Sequence, residues 1–111
     1  LRLKKMAGSA TALELLDRFL EESPERLEAC VSALQKGDLG SISHHLHRIR
    51  GDAGWLGAKE VQDLAGQGEN SALEGKSEGL AALREQLSGL CYEVSQELHR
   101  ERTVLLGSKE F

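Results

Sequence analysis

The sequence predicts an all-α fold, an antiparallel up-down four-helix bundle with a short additional N-terminal helix. The composition supports this class, because the 111 residues are rich in Leu, Ala, Glu, Gln and Arg and contain one proline and two phenylalanines. Strands would need more β-branched and aromatic residues. Apolar residues recur at helical spacing along most of the chain, and its length suits one domain.

Two helices are predicted in the first third of the chain. Thr11, with Glu14 three residues later, forms a capping-box pattern that predicts a short leading helix over residues 11–22. Ser23-Pro24 then supplies an N-cap and a proline at the first helical position. The second helix is therefore expected to begin there and to end at Gly37.

Three further helices complete the predicted bundle. Asp38 is the expected N-cap of the third helix, which breaks near Gly57, and the fourth is shorter, over about 59–69. Residues 70–78 mix Asn, Ser, Gly and charged groups and are predicted to form a loop. The last helix begins at about Gly79 and has apolar residues at bundle spacing: Leu80, Leu83, Leu87, Leu90, Val94 and Leu98.

The two ends of the chain are predicted to lie outside the bundle, which spans residues 10–105. Residues 1–9 carry three basic residues without apolar periodicity and are expected to be a leader, a linker or an artificial end. Residues 106–111 are expected to fray. The chain does not begin with Met, which favours excision from a longer protein.

Charge and cysteine content exclude several classes of function. The net charge of -4 disfavours binding to nucleic acid or to an anionic membrane surface. No apolar run is long enough to span a membrane or form a signal peptide. Cys30 and Cys91 lie far apart in helical patterns, which indicates reduced core thiols in a cytoplasmic protein.

The third helix carries the informative pattern. Its apolar stripe, which includes Leu46 and Ile49, should face the core, so His47 should reach solvent. Small residues share the side of His47: Gly40, Ser43, Gly51, Gly54 and Ala58. A glycine inside a helix costs about 1 kcal/mol relative to alanine. Either a partner surface approaches the imidazole, or another helix of the bundle packs closely here, and the sequence leaves both explanations open.

Two motifs connect this pattern to a known family. The segment His47-Arg48-Ile49-Arg50-Gly51 is followed by Leu56-Gly57-Ala58, and together they resemble the signature of histidine-phosphotransfer (HPt) domains. The family signature is a histidine, any residue, an aliphatic residue, a basic residue and a glycine, then a Leu-Gly-Ala turn. The resemblance covers roughly residues 12–100.

The resemblance implies a phosphorelay intermediate whose phosphoacceptor is His47. Such a domain takes a phosphoryl group from an aspartyl phosphate on a receiver domain and passes it to another receiver. Arg50 matches the family's basic residue, which neutralises phosphoryl oxygens, and Glu69 matches the residue that orients the imidazole. The surface expected to dock the receiver comprises Ser43, His44, Gly51, Gly54 and Ala58.

The resemblance also implies a phosphocarrier without its own catalytic machinery, and therefore not an enzyme. No cofactor is expected in this chain, since the receiver domain would bring Mg²⁺. The isolated domain is expected to be a cytoplasmic monomer without direct membrane contact. It would be free-standing or the C-terminal domain of a hybrid sensor histidine kinase anchored at an inner membrane.

The sequence is also compatible with other functions. The chain could be a docking module that binds a receiver without being phosphorylated, or a homodimerising bundle. The histidines at positions 44, 45 and 47 suggest a zinc site, with His44 and His47 at i, i+3, but it is disfavoured because no third ligand has spacing that matches this pair. Trp55 could stack at a partner interface, but packing in the core or at its edge is favoured.

Overall fold

The structure is a computed structural model and describes residues 8–109. Four helices make up nearly all of this part of the chain. They are α1 (Ser9–Lys36), α2 (Leu39–Leu56), α3 (Lys59–Leu73) and α4 (Leu80–Lys109). The described residues contain no strand. The predicted all-α class is confirmed.

Contacts between α1 and α2 show that these helices run antiparallel. Arg18 of α1 bonds to Asp52 near the end of α2, whereas Arg26 lies beside His45 near its start. The connection between the two helices, Gly37 and Asp38, is too short to allow any other arrangement. A second short connection likewise reverses the chain between α2 and α3.

Helix α4 closes the bundle by packing against both α3 and α1. Arg84, near its start, donates to the carbonyl oxygen of Leu27, and Arg102, near its end, donates to Asp17. The order of these contacts makes α4 antiparallel to α1. The expected up-down bundle is therefore confirmed.

Both short turns have the predicted helix-ending chemistry. Gly37 and Gly57 end α1 and α2 in the left-handed conformation, with φ of 68° and 74°, which glycine adopts without the steric cost of a side chain. Asp38 caps α2, because its Oδ1 accepts a hydrogen bond from the backbone N–H of Ser41 at 3.0 Å.

The separate leading helix is not present, because α1 continues through Pro24. Proline removes one backbone hydrogen bond and normally kinks or ends a helix. The residues on both sides of Pro24 nevertheless belong to one core. Phe19 and Ser23 before the proline and Leu27 after it are almost fully buried. Continuous burial of this face overrides the local boundary signal.

The start of α1 also differs from the prediction. The helix begins at Ser9 and is capped by the backbone of Gly8, without a side-chain cap, so the predicted capping box of Thr11 and Glu14 is wrong. Since Ala12 is completely buried, packing holds this first turn in place. The expected leader falls mostly on residues 1–7, which lie outside the described part.

Two other boundaries lie later in the chain than predicted. Helix α3 runs to Leu73, so the loop spans only 74–79. Helix α4 continues to Lys109, whereas fraying was expected from Leu106. The ion pair of Arg102 with Asp17 and the complete burial of Leu105 hold this end against the bundle. Residues 110 and 111 lie outside the described part.

The core contains both cysteines as free thiols, as predicted. Burial raises the pKa of Cys91 to about 12. Burial also raises the pKa of Cys30, although the nearby positive charge of Arg84 opposes the shift. None of the described helices is both long and apolar enough to cross a bilayer.

Candidate functional site

His47 stands on the outer face of α2, as predicted. Its neighbours Leu46 and Ile49 are buried in the core, while 57% of the His47 side chain is exposed. The position of the imidazole follows from the helical period, since residue 47 projects away from the buried stripe. A large partner therefore has access to the ring.

Glu69 reaches His47 from the neighbouring helix α3. Its Oε2 lies 2.9 Å from Nδ1 of His47, and only 11% of the Glu69 side chain is exposed. Because α3 continues to Leu73, Glu69 lies one turn inside the helix and its backbone is fixed. The exposed imidazole is thus anchored by a buried carboxylate.

This contact determines which ring nitrogen carries the hydrogen. An ionised carboxylate can only accept a hydrogen bond, so Nδ1 of His47 must be the donor to Glu69. In a neutral imidazole the other nitrogen, Nε2, then has no hydrogen and keeps its lone pair. The nitrogen with nucleophilic character is therefore Nε2.

Arg50, one turn after His47 on α2, completes the cluster. Its Nε lies 3.2 Å from Oε1 of Glu69 and its Nη2 lies 3.2 Å from Nδ1 of His47. Nδ1 already donates to Glu69 and cannot also accept a hydrogen bond from Arg50. The proximity of Nη2 to Nδ1 therefore places the positive charge of Arg50 beside the ring without a hydrogen bond. Oε1 of Glu69 has no well-aligned hydrogen-bond donor among the described residues, so its attraction to Arg50 is electrostatic.

Two glycines of α3 allow close packing at and beside this cluster, a role that the sequence pattern does not reveal. A Cβ atom on Gly66 would lie 3.4 Å from Cδ of Arg50. One on Gly68 would lie 2.7 Å from Cδ1 of Leu46 and 2.8 Å from Cδ2 of Leu83, closer than carbon atoms can pack. Gly68 therefore allows α3 to approach both α2 and α4 next to Glu69.

The two glycines of α2 that follow His47 serve different purposes. A Cβ atom on Gly51 would meet nothing within 4 Å among its described surroundings, so this position is open surface. One on Gly54 would lie 3.1 Å from Nε2 of Gln62 on α3. Close helix packing thus explains Gly54 but does not explain Gly51.

The remaining predicted docking residues fall in different surroundings. His44 is exposed, and the hydroxyl of Ser43 donates to the carbonyl oxygen of Gly40 at 2.9 Å. Ala58 is only 6% exposed and does not belong to this surface. The left-handed turn at Gly57 ends the helical period, so the face of His47 cannot be extended to residue 58.

Trp55 is 56% exposed, and the expectation that it packs in or beside the core is wrong. Since the core lies on the opposite side of α2, a side chain at position 55 cannot turn inward without breaking the helix. The aromatic ring stands on the same side of α2 as His47 and Gly51.

A second polar cluster joins α1 to α2 beside the site. Arg26 bonds to Glu22 at 3.0 Å and approaches Nδ1 of His45 at 3.3 Å. Partial burial lowers the pKa of His45, and the positive charge of Arg26 and the neighbouring His44 lower it further. His45 faces α1 and is therefore not a second phosphoacceptor candidate on the open face.

Within residues 8–109 the structure brings together no group of three or more His, Cys, Asp or Glu side chains suited to a metal ion. His45 and His47 face different helices, because His45 lies beside Arg26 of α1 whereas His47 contacts Glu69 of α3.

A known domain family covers most of this chain. The Hpt domain family model matches residues 14–100, which is most of the chain. The chain belongs to the Hpt family. No curated protein and no solved structure matched it. Hpt domains are phosphotransfer modules of two-component signalling that interact with receiver domains and lack catalytic activity of their own.

Proposed function

We propose that this domain is a phosphorelay intermediate that accepts a phosphoryl group on Nε2 of His47. The donor is an aspartyl phosphate on one receiver domain, and the acceptor is the aspartate of another. The observation that supports the proposal most strongly is the hydrogen bond of 2.9 Å between Nδ1 of His47 and buried Glu69. In the neutral imidazole, this contact leaves the lone pair of Nε2 free on an exposed ring.

The transfer needs no proton to leave the imidazole. The Nε2 lone pair attacks phosphorus, the bond between phosphorus and the aspartyl oxygen breaks, and the aspartate departs as a carboxylate. The ring, now phosphorylated, keeps the hydrogen on Nδ1 and gains positive charge. Glu69, already bonded to that hydrogen, stabilises this charge, and the same steps in reverse return the phosphoryl group to a receiver.

Arg50 contributes electrostatic stabilisation in this proposal. Its guanidinium is 40% exposed and lies against the imidazole, so a modest side-chain rotation brings it to the oxygens of a phosphoryl group on His47. Arginine is well suited to this role, because its planar fork of donors matches the oxygens of a phosphoryl group.

The partner receiver completes the reacting centre. The open surface at Gly51 allows the receiver to approach the imidazole closely, and the receiver brings Mg²⁺ together with its aspartate. In this proposal the chain supplies a nucleophile and a docking face and has no cofactor. It acts as a cytoplasmic monomer, either free-standing or as one domain of a hybrid sensor kinase.

Transfer of labelled phosphoryl groups from a panel of phosphorylated receiver domains tests this function. Wild-type protein should become labelled, with label that is lost in acid and kept in alkali. His47→Gln should remove all labelling without changing helicity, since the side chain is exposed. His99→Gln is the matched control, because it alters an exposed histidine of α4 that lies outside the predicted docking surface, and it should keep the label.

Two results would overturn the proposal. Label that persists in His47→Gln would show that another residue is the acceptor. If no receiver in the panel labels the wild-type protein, while a receiver still binds equally well to wild type and His47→Gln, the chain is a docking module without phosphotransfer.

A further inference from the structure

Trp55 is a large apolar side chain that α2 presents to solvent, with 56% of its surface exposed. Exposed tryptophan is unfavourable for an isolated domain, and tryptophan is among the residues that contribute most to binding at protein interfaces. It is the only tryptophan in the sequence. Its exposure on the same side of α2 as His47 therefore makes it a candidate contact for a partner that reaches the imidazole.

We propose that Trp55 is a specificity-determining anchor for the receiver domain, inserted against an apolar surface of that partner. This inference rests on the proposed phosphorelay function and adds a defined contact to it. Because Trp55 follows His47 by eight residues, it lies about 12 Å farther along the axis of α2. The apolar surface must therefore lie at about that distance from the receiver's phosphorylated aspartate.

The geometry of α2 allows both residues to contact one partner. Successive residues turn by about 100°, so the directions of His47 and Trp55 differ by about 80°, and Gly51 projects midway between them. Apart from the backbone of α2 itself and the residues adjacent to Gly51, no described atom lies within 4 Å of a Cβ built on Gly51. A partner surface can therefore rest on the bare backbone at Gly51 with the imidazole on one side and the indole on the other.

The charges around Trp55 favour a receiver over a second copy of this chain. Arg48 is exposed on the same side of α2, while the neighbouring carboxylate of Asp52 is paired with Arg18 at 3.1 Å. A symmetric dimer through this face would bring the two Arg48 side chains towards each other and cover His47. A receiver carrying an aspartyl phosphate presents the opposite charge.

Transfer kinetics with Trp55→Ala test the proposal, using the receiver that labels the wild-type chain fastest. Loss of an anchor should raise the KM for the phosphorylated receiver about tenfold or more, while kcat at saturation stays within about twofold. Trp55→Phe should recover part of the loss. Tyr92→Ala is the matched control, because Tyr92 is 67% exposed on α4, away from His47, and its replacement should leave KM unchanged.

Binding without chemistry gives an independent measurement. In a His47→Gln background, with the single tryptophan replaced by 5-fluorotryptophan, the ¹⁹F resonance should shift and broaden when unlabelled receiver is added. Binding of the receiver can also be measured by calorimetry in the same His47→Gln background. Adding Trp55→Ala to that background should raise the Kd about tenfold or more.

The outcomes separate this inference from the proposed function. Transfer to His47 with an unchanged KM in Trp55→Ala would leave the relay function intact and overturn the anchor. A ¹⁹F resonance that stays at its free position in the complex would do the same. Concentration-dependent association of the wild-type chain that Trp55→Ala abolishes would assign Trp55 to a self-association surface and overturn the proposal.

Discussion

Glu69 holds the imidazole of His47 through a contact of 2.9 Å, which joins a buried carboxylate to an exposed ring. The pair lies on two different helices, α3 and α2, so the orientation of the ring depends on the packing between them. Any substitution that changes the separation of α2 and α3 should therefore change the reactivity of His47 as well as stability.

Replacing Glu69 tests the contribution of this contact to transfer. Glu69→Ala removes the acceptor from Nδ1, frees the ring to rotate and leaves Arg50 without its partner. We expect the transfer rate to fall by about 10- to 100-fold, less than the loss with His47→Gln. Glu69→Gln keeps an oxygen acceptor at the same place and should lose less. An unaltered rate in Glu69→Ala would remove Glu69 from the site.

Gly51→Gln should have opposite effects on stability and on transfer. The position is open surface, so replacing a helical glycine should stabilise the fold by up to about 1 kcal/mol. The added side chain would cover the approach to the imidazole and block transfer. Chemical denaturation and the transfer assay measure the two effects on the same sample. Wild-type transfer by this variant would contradict the idea that Gly51 gives the partner access.

Gly68→Ala should destabilise the protein, in contrast to Gly51. Its Cβ would collide with Leu46 and Leu83, and overpacking of this kind costs about 1–3 kcal/mol. The gain in helix propensity, about 1 kcal/mol, reduces this cost, so the expected net loss of stability is up to about 2 kcal/mol. Equilibrium denaturation measures the change, and Gly51→Ala is the matched control that should stabilise. Equal stabilisation by both variants would show that α3 is not closely packed at Gly68.

The two buried thiols should be unreactive in the native protein. The pKa of Cys91 is raised to about 12 by burial, so at pH 8 almost no thiolate is present, and Cys30 is shifted in the same direction. A colorimetric thiol reagent should react with both cysteines only after denaturation. Rapid native reaction of either thiol would show that the core opens locally.

The same pKa shifts predict how stability depends on alkaline pH. A thiol whose pKa is higher in the folded state than in the unfolded state stabilises the fold fully below the unfolded value of 9.0. This contribution is lost as the pH rises towards 12, because the unfolded chain ionises first. Between pH 9 and about pH 12, the denaturation midpoint of Cys91→Ala should therefore fall less than that of the wild-type protein.

The sequence predicted the helical class, both short turns and the exposure of His47, because each depends on local features. These local features are the helical period of apolar residues, the N-cap at Asp38 and the left-handed glycines that end α1 and α2. The continuity of α1 through Pro24 was not predicted, because it depends on burial against other helices. The buried residues on both sides of the proline already share one helical stripe, and this was the available signal.

The roles of the glycines could not be derived from the sequence. Four of them lie within helices around the site, at positions 51, 54, 66 and 68, and propensity penalises them equally. Only the distances to neighbouring helices distinguish the two kinds of position. Gly51 lies on open surface, whereas Gly68 lies where α3 packs closely against Leu46 and Leu83. The exposure of Trp55, by contrast, could have been predicted, because the predicted apolar stripe of α2 lies on the opposite side of the helix from position 55.

The most direct test of the central claim is to identify the phosphorylated nitrogen of His47. Protein labelled with ¹⁵N in its histidines and phosphorylated by a receiver should be examined by heteronuclear NMR. We expect coupling of phosphorus to Nε2, with the hydrogen retained on Nδ1 and bonded to Glu69. Coupling of phosphorus to Nδ1 would contradict the proposed role of Glu69, because Nδ1 is the nitrogen that Glu69 holds.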